Sequence, residues 1–423
     1  MGADGPEPIR QNITQVKESK DAQGASWADI APFFASTFSI IGSFILLITG
    51  NISWVLWFGL VIVPIQDRLL AEDKKNVNAA SVKSFEKDWR FIIPLLTGTF
   101  LDFALLIYIL IGLGNGTLGA SIGDFTILVI SNSFLATSVS CIGHELYHRR
   151  NKFFKFLGII SHMKFLCGYI PIFHIEIHHK YTGIVERDHG YPPRGKSIYE
   201  TVEFLGFKSF MDTYYHEENK LKKRGLTNQI DRLIANRVVI YRAIELLYLV
   251  ALYIFLGWKP LIFQLLFAQL SLMILTTTNY AEHYGLVRKV INADKPNEKK
   301  IYEPQTRQHS WDTNAAQSNK LLFNLQRHSD HHLFVYKPYQ ILDSVENSPQ
   351  LPFGYTAAFL CAWCWPLWKA VMHPMLDAME KGEKLTEKQA KDQKSLIDKY
   401  LLSIWVPVTI YYVLAVRINI PSF

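Results

Sequence analysis

The sequence predicts an all-α, polytopic membrane protein: a bundle of six membrane-spanning helices, or seven if a C-terminal apolar segment also crosses. Two observations support this prediction. Apolar runs of about 20 residues, the length of a membrane-spanning helix, alternate with strongly charged segments. Lysine and arginine are concentrated in alternate connections, as expected when basic loops remain on the inner side of a membrane.

The predicted spans cover residues 31–50, 52–70, 91–113, 124–147, 237–257 and 260–282, with 399–418 as the candidate seventh. Residues 353–371, rich in Trp and Pro, are expected to be interfacial or buried, and 376–398 to form a charged helix. The chain therefore divides into a polar tail (1–28), a membrane-embedded domain (29–375) and a C-terminal extension (376–423).

The formal net charge of +7 invites comparison with nucleic-acid-binding proteins. The basic residues, however, lie in the loops beside the spans, at 68–90, 148–236 and 286–352. Membrane topology explains that distribution, so no nucleic-acid partner is predicted. Placing these three loops on the inner face also places the N-terminus there.

Nine of the fourteen histidines fall in four clusters. They are His144 and His148; His174, His178 and His179; His283; and His328, His331 and His332. Spacings of three and four residues put helical side chains on one face, close enough for two imidazoles to bind one ion. Imidazole suits zinc, copper, nickel and iron, and nine ligands exceed one tetrahedral zinc but suit two ions. The span count brings all nine to the inner face.

Two other classes of protein stay open at this point. Residues 144–148 read HELYH, which matches the HExxH motif of zinc metalloproteases, with Glu145 as general base. A membrane protease would leave the other seven clustered histidines unexplained. A non-catalytic subunit of a larger membrane complex is the second alternative, and the clusters disfavour it as well.

The clusters and their flanks resemble a known family. HELYHRR, NYAEHYGLVR and LQRHSDHH are similar to the membrane alkane monooxygenase (alkane hydroxylase) family, part of the histidine-box di-iron desaturase and hydroxylase superfamily. VPIQDRLLAED, GKSIYETVEF, HSWDTN and SPQLPFGY extend the likeness over roughly residues 30–375. The chain departs from the family at Tyr147 and Arg149, where Gly and Lys are common.

The resemblance implies a membrane oxidoreductase that binds two iron ions through the nine histidines and uses O₂ to hydroxylate the terminal carbon of alkanes. Electrons would come from a rubredoxin-like or other soluble donor. A fatty acyl desaturase or hydroxylase of the same superfamily is the alternative. Residues 29–375 would then be the di-iron hydroxylase domain, in the lipid bilayer, and the C-terminal extension could bind a protein partner.

Other side chains are candidates for supporting roles. Carboxylates and an amide beside the histidines could accept hydrogen bonds from ring N–H groups: Glu145, Glu176, Glu282, Asp330 and Asn279, with Asp312 a weaker candidate. Apolar side chains on the second and third spans could line a hydrocarbon tunnel: Trp54, Trp57, Phe58, Leu106 and Ile109. The histidines outside the clusters are expected to be structural or surface residues: His162, His189, His216, His309 and His373.

Overall fold

The structure, a computed structural model, describes residues 23–295, 297–414 and 416. Most of the predicted polar tail and the last residues of the predicted 399–418 span lie outside that part of the chain. Among the described residues there is no β-strand, and β pairing is limited to two isolated bridges. The predicted all-α class is confirmed.

The α-helices of the described residues are, in order, α1 (Trp27–Ile30), α2 (Ala35–Ile48), α3 (Trp54–Trp57), α4 (Val63–Leu69), α5 (Val82–Lys87), α6 (Ile92–Gly114), α7 (Ile122–Ser138), α8 (Ser140–His148), α9 (Lys152–Met163), α10 (Ile170–Phe173), α11 (His179–Tyr181), α12 (Ile198–Lys223), α13 (Gln229–Ala235), α14 (Arg237–Leu256), α15 (Trp258–His283), α16 (Ala316–Leu321), α17 (His328–Leu333), α18 (Tyr355–Ala362), α19 (Trp365–Glu380) and α20 (Glu387–Leu414). Short 3₁₀ turns cover Ala31–Phe34, Trp89–Phe91, Arg307–His309 and Tyr339–Ile341, and π-helices cover Phe58–Ile62 and His174–His178.

Six helical segments of the described chain are long and apolar enough to cross a membrane. They are Trp27–Ile48, Trp89–Gly114, Ile122–His148, Arg237–Leu256, Trp258–His283 and Glu387–Leu414. The predicted number of six is confirmed, but the members differ from the predicted set.

The predicted second span, 52–70, is not among the six. Its helical part runs from Trp54 to Leu69 through a π-helical turn, about 24 Å at 1.5 Å per residue, and this run returns the chain between the parallel helices α2 and α6. The C-terminal apolar segment, expected as an optional seventh span, is part of the long helix α20, Glu387–Leu414, which is one of the six. Apolar composition alone did not reveal where either helix begins or ends.

Side-chain contacts fix the directions of these helices. Residue pairs Thr37–Thr97 and Phe44–Tyr108 show that α2 and α6 run parallel. Helix α20 runs antiparallel to the short 54–69 run, since the Trp57 ring N–H donates to the Thr409 hydroxyl and Arg68 pairs with Asp398. The predicted C-terminal extension, which contains α20, therefore packs into the bundle.

Helices α8 and α15 end at the same end of the bundle. Their last residues are His148 and His283. Helix α8 continues α7 after Val139, and α7 and α15 both begin after turns at the opposite end. The Ser133 hydroxyl of α7 donates to the Phe267 carbonyl of α15, so these two helices lie side by side. This arrangement brings the cluster of His144 and His148 close to His283.

The chain after α8 turns back into the bundle. Helix α9 packs so closely on α8 that a Cβ at Gly158 would lie 2.5 Å from the Tyr147 backbone nitrogen. The hairpin tip that follows, Lys164–Gly168, is buried among three spans: Lys164 pairs with Asp102, and the Gly168 N–H donates to Glu245 at 2.7 Å. From this tip the chain returns through α10 to the second histidine cluster.

Candidate metal centre

All nine clustered histidines meet at one end of the bundle. Eight form two groups whose nitrogens lie within 4.8 Å of one another. The first histidine group is His144, His148, His174 and His331, and the second histidine group is His178, His283, His328 and His332. His179 lies between them, with its Nε2 3.0 Å from that of His174 and its ring 4.3 Å from the His332 ring.

Local helix geometry decides which histidine joins which group. His144 and His148, four apart on α8, share the first group, and His328 and His332 share the second, as α-helical spacing predicts. His174 and His178 are also four apart, yet they separate into different groups. Both lie in the π-helix His174–His178, and their ring centroids are 5.3 Å apart, against 4.5 Å for His144 and His148 on an α-helix. The sequence spacing gave no sign of this turn.

Hydrogen bonds fix the tautomers of three histidines. The ring Nδ1–H of His178 donates to the buried carboxylate of Asp188 at 2.7 Å, and that of His148 donates to the Val335 carbonyl at 2.8 Å. His332 Nδ1 lies 3.0 Å from the Thr182 hydroxyl, which itself donates to a backbone carbonyl. In each ring the Nε2 lone pair is left free to face its group.

Facing lone pairs test whether these residues fit a metal. His178 and His283 present their Nε2 atoms to each other at 3.1 Å, while the Nδ1 of His283 faces the His309 carbonyl at 3.4 Å. Two lone pairs at that distance repel unless a cation lies between them. Two nitrogens each about 2.1 Å from one ion, at about a right angle, would lie about 3.0 Å apart. The geometry therefore fits bound metal.

Several ring nitrogens have no other partner among the described residues. Both nitrogens of His331, and Nε2 of His148 and His332, are buried without a hydrogen bond. Burial lowers the pKa of His331 to about 3 and the pKa values of His174, His179, His328 and His332 well below the usual range. Neutral imidazole is the form that binds metal, so the groups are ready to do so at neutral pH.

Comparison with known proteins agrees with this geometry. The fatty acid desaturase family model matches residues 123–371, which include all nine histidines. Alkane 1-monooxygenase 2 of Alcanivorax borkumensis is 28% identical over 87% of this chain and 94% of its own length. Alkane 1-monooxygenase 2 of Pseudomonas aeruginosa is 30% identical over 78% and 86%, and alkane 1-monooxygenase 1 of A. borkumensis is 31% identical over 85% and 88%.

The chain belongs to the alkane 1-monooxygenase family. The predicted resemblance and the predicted oxidoreductase class are thus confirmed. Family membership and the six apolar helices together identify an integral, multi-pass membrane protein.

Within this alkane 1-monooxygenase framework, two of the predicted carboxylates lie beside the histidines. Glu145 Oε1 is 3.9 Å from Nδ1 of His144, and its other oxygen accepts the Tyr339 N–H at 3.2 Å. Glu282 Oε2 is 3.5 Å from Nε2 of His328. Both are buried and retain an oxygen without a hydrogen bond to the described residues.

Three other candidates contact different partners. Glu176 points to the opposite side of the π-helix, where Arg237, Lys220 and His216 surround its carboxylate at 2.7–3.0 Å. Asp330 is held by Arg307 and Lys337, each at 2.7 Å. The Asn279 amide donates to the Gly190 carbonyl at 2.8 Å. None of these contacts involves a clustered histidine.

Asp312 stabilises the segment that carries the fourth histidine cluster, His328, His331 and His332. It accepts hydrogen bonds from the Ser329 N–H and hydroxyl, at 2.6 and 2.7 Å, and from the Ser348 hydroxyl at 2.6 Å. Burial raises the pKa of Asp312 to about 6 despite these bonds. The carboxylate thereby anchors the first turn of α17, which carries His328, His331 and His332.

The hydrogen-bond acceptors that contact the rings of His178, His332 and His148 were not among the residues predicted from the sequence. Asp188, Thr182 and the Val335 carbonyl are those partners. Asp188 and Thr182 follow the HxxxHH cluster within ten residues, and that proximity was the available signal. A backbone carbonyl such as that of Val335 leaves no trace in a sequence.

One cavity adjoins the histidines, and a second, larger cavity adjoins the first. The proximal cavity, about 170 Å³, is lined by His144, His174 and His328. The distal cavity, about 620 Å³, lies farther from them and is lined almost wholly by apolar side chains of α2, the 54–69 run and α7. Phe134, Ser138 and Thr356 line both, so the two cavities meet there.

The predicted tunnel residues divide between these cavities and the core. Trp54, Trp57 and Phe58 line the distal cavity. Leu106 and Ile109 are buried within α6 and line neither of these two cavities.

The remaining histidines lie apart from the two groups, with one exception. His162, on α9, lines the proximal cavity, and its ring lies 5.1 Å from that of Tyr147. Tyr147 also contacts His144, His148 and His174, and so occupies space beside the first histidine group. His162 is therefore the one histidine outside the clusters that reaches this cavity.

Proposed function

We propose that this chain is a membrane di-iron monooxygenase that hydroxylates the terminal C–H bond of alkanes with O₂ and an external reductant. The relatives' names specify alkane 1-monooxygenases, and the two histidine groups supply ligands for two ions. The balanced reaction is R–CH₃ + O₂ + 2 e⁻ + 2 H⁺ → R–CH₂OH + H₂O.

The facing Nε2 lone pairs of His178 and His283 carry the metal part of this proposal. A pair of bound irons would supply O₂ activation toward an unactivated C–H bond, which redox-inert zinc cannot supply. The nine histidines would be its ligands. The protein itself orients these rings through buried hydrogen bonds and surrounds the site with apolar walls that exclude water.

The cavities support an apolar substrate. An alkane lying in the distal cavity, among Trp54, Trp57 and Phe58, could extend past Ser138 into the proximal cavity. One end of the alkane would then face the first histidine group. Contact with the last carbon of the chain explains terminal hydroxylation. Glu145 and Glu282, beside His144 and His328, would accept hydrogen bonds from ring N–H groups or balance metal charge.

Sidedness and donor complete the proposal. The basic loops 68–90, 148–236 and 286–352 favour placing the metal centre and the N-terminus on the inner face of the membrane. A rubredoxin-like soluble protein would deliver electrons there, while the hydrocarbon enters from the bilayer. The metalloprotease alternative is not favoured, because HELYH would use only His144 and His148 and leave the second histidine group without a role.

Metal analysis and product analysis on one preparation test this function. Purified protein should contain two irons per chain rather than zinc, and should convert octane and longer alkanes to 1-alkanols when given O₂ and reductant. Fatty acids and acyl esters serve as comparison substrates; preference for either would support the acyl desaturase or hydroxylase alternative.

Substitution of one proposed ligand sharpens the test. His331→Ala removes a ring whose two nitrogens have no other partner in the described structure, so iron content and 1-alkanol formation should both fall. His189→Ala is the control, because His189 is exposed and pairs with Asp212 instead. Full activity and full iron content in the His331 variant would remove that residue from the ligand set.

A further inference from the structure

The chain emerges at the surface directly after the last two proposed ligands. His331 and His332 are 1% and 3% exposed, whereas Leu333, Phe334 and Tyr336 are 36%, 41% and 53% exposed. Three large apolar or aromatic side chains are thus exposed within four consecutive positions, outside the six candidate spans. We call Leu333, Phe334 and Tyr336 the aromatic patch.

Cations surround the aromatic patch. The Arg307 guanidinium lies 5.7 Å and the Lys337 ammonium 5.5 Å from the Phe334 ring, and the Arg150 guanidinium lies 5.4 Å from the Tyr336 ring. Asp330, which pairs with Arg307 and Lys337, is completely buried beneath them. Lys337 also pairs with Asp343 at 2.6 Å, so Arg150 is the cation at the edge of this apolar surface for which the described residues show no ion pair.

The aromatic patch is also connected to the metal centre by very few bonds. Val335, inside the patch segment, accepts the hydrogen bond from the ring Nδ1–H of His148 at 2.8 Å. The same segment is covalently joined to His332 through Leu333. An electron arriving at this surface thus has a short path to a ring of each histidine group.

We propose that the aromatic patch and its cationic rim, Arg150 above all, form the docking surface for the soluble electron donor. This inference rests on the proposed function, because only an enzyme that consumes external electrons needs such a surface. The partner is a small protein with an apolar area over its redox centre and an acidic rim. It is oxidised by one electron in each of two encounters, and these two electrons balance the reduction of one oxygen atom to water.

The physical reasons are those of protein interfaces in general. Aromatic residues and arginine supply most binding energy at the desolvated centre of an interface. Opposite charges around the rim accelerate encounter and orient the partner. The basic run at 220–224 is less suited, because no aromatic side chain lies within it and two of its lysines pair with Glu176 and Glu218.

Steady-state kinetics with a purified rubredoxin, reduced by its reductase and a nicotinamide, test the proposal. Arg150→Glu and Tyr336→Ser should each raise the KM for rubredoxin by about tenfold, since charged and aromatic anchors supply much of the binding energy of an interface. The KM for octane and the iron content should not change. Raising the salt concentration from about 0.05 to about 0.5 M should raise the rubredoxin KM of the parent more than that of Arg150→Glu.

Two controls separate this inference from the proposed function. Lys223→Glu changes an exposed charge on the other basic segment and should leave the rubredoxin KM as it is. A single turnover driven by a small chemical reductant does not require docking, so absence of 1-alkanol in that assay would contradict the proposed function itself. Chemical turnover combined with an unchanged rubredoxin KM in Arg150→Glu and Tyr336→Ser would overturn the docking surface alone. A larger loss in Lys223→Glu would likewise overturn it, and would place the donor on the 220–224 segment.

Discussion

Asp188 illustrates how the protein prepares an imidazole for metal. Its carboxylate is fully buried and accepts the Nδ1–H of His178 at 2.7 Å, which fixes the ring orientation and directs the Nε2 lone pair toward His283. Such outer partners raise ligand basicity and are worth about ten- to a hundredfold in metal affinity. The second histidine group should therefore depend on Asp188 although Asp188 binds no metal.

We predict that Asp188→Asn lowers the iron affinity of the second histidine group by about tenfold or more. An amide at this position could present its NH₂ to the ring and favour the wrong tautomer. Iron retained per chain during competition with a chelator measures the effect, and the first group should keep its iron.

The chain provides a matched control for this substitution. Asp212 makes the same kind of contact with His189, at 2.6 Å, but on the surface, where the side chains are 25% and 40% exposed. Asp212→Asn should leave iron retention at the parent level. Equal iron loss in the two variants would mean that Asp188 acts on overall stability and not on its histidine.

The sequence was sufficient to predict the identity of the clustered residues, because histidine spacing is visible in one dimension. It was insufficient to predict how they divide. His174 and His178 are four apart in a π-helical turn yet join different groups, and the partners of His178, His332 and His148 come from a later aspartate, a threonine hydroxyl and a backbone carbonyl. These depend on tertiary packing, which residue spacing does not encode.

The hairpin between α8 and α11 places irregular backbone inside the bundle. Three spans provide polar groups for its tip: Asp102 for the Lys164 ammonium, Glu245 for the Gly168 N–H, and Gln264, which donates to the Lys164 carbonyl at 2.6 Å. Backbone without helical hydrogen bonds is tolerated at membrane depth only when protein groups satisfy it. Glu245 also pairs with Arg242, three residues earlier on α14, at 2.8 Å, so one carboxylate serves both the helix and the hairpin tip.

We predict that Lys164→Met destabilises the protein by about 3–5 kcal/mol, because it leaves the Asp102 carboxylate buried without its cation. The double variant Lys164→Met with Asp102→Leu removes both charges and should recover most of that loss. Thermal unfolding in detergent, followed with the parent and both single variants, gives the comparison.

The interaction free energy between Lys164 and Asp102 tests this prediction. A double variant that is as unstable as the sum of the two single variants would show that the charges act independently and do not hold the tip. Lower iron content in Lys164→Met, restored in the double variant, would further show that the tip sets the position of the His174–His178 π-helix.

The bundle as a whole joins an apolar cavity among the spans to a metal centre at one end. The span prediction anticipated this placement, since both α8 and α15 end in histidine at the same end. It did not anticipate that α20 packs along the short 54–69 run, with the Trp405 ring N–H donating to the Leu60 carbonyl at 3.0 Å. The 54–69 run and α20, which are distant in sequence, thus form one wall of the bundle. Only the contacts between their side chains reveal this pairing.

The meeting point of the two cavities should set the longest substrate. Ser138 lies there, on α7, and its hydroxyl donates only to the carbonyl one turn earlier, so a larger side chain would project into open space. We predict that Ser138→Phe blocks the passage. Alkanes short enough for the proximal cavity should still be hydroxylated, while the rate for long alkanes should fall by about tenfold or more, since a displaced terminal carbon no longer reaches the site.

Mass-spectrometric yields of 1-alkanols across a chain-length series measure the effect of Ser138→Phe. Thr126→Phe, at an exposed position on the same helix, is the control and should keep the parent profile. A uniform loss across all chain lengths in Ser138→Phe would mean that the substrate enters the proximal cavity by another route.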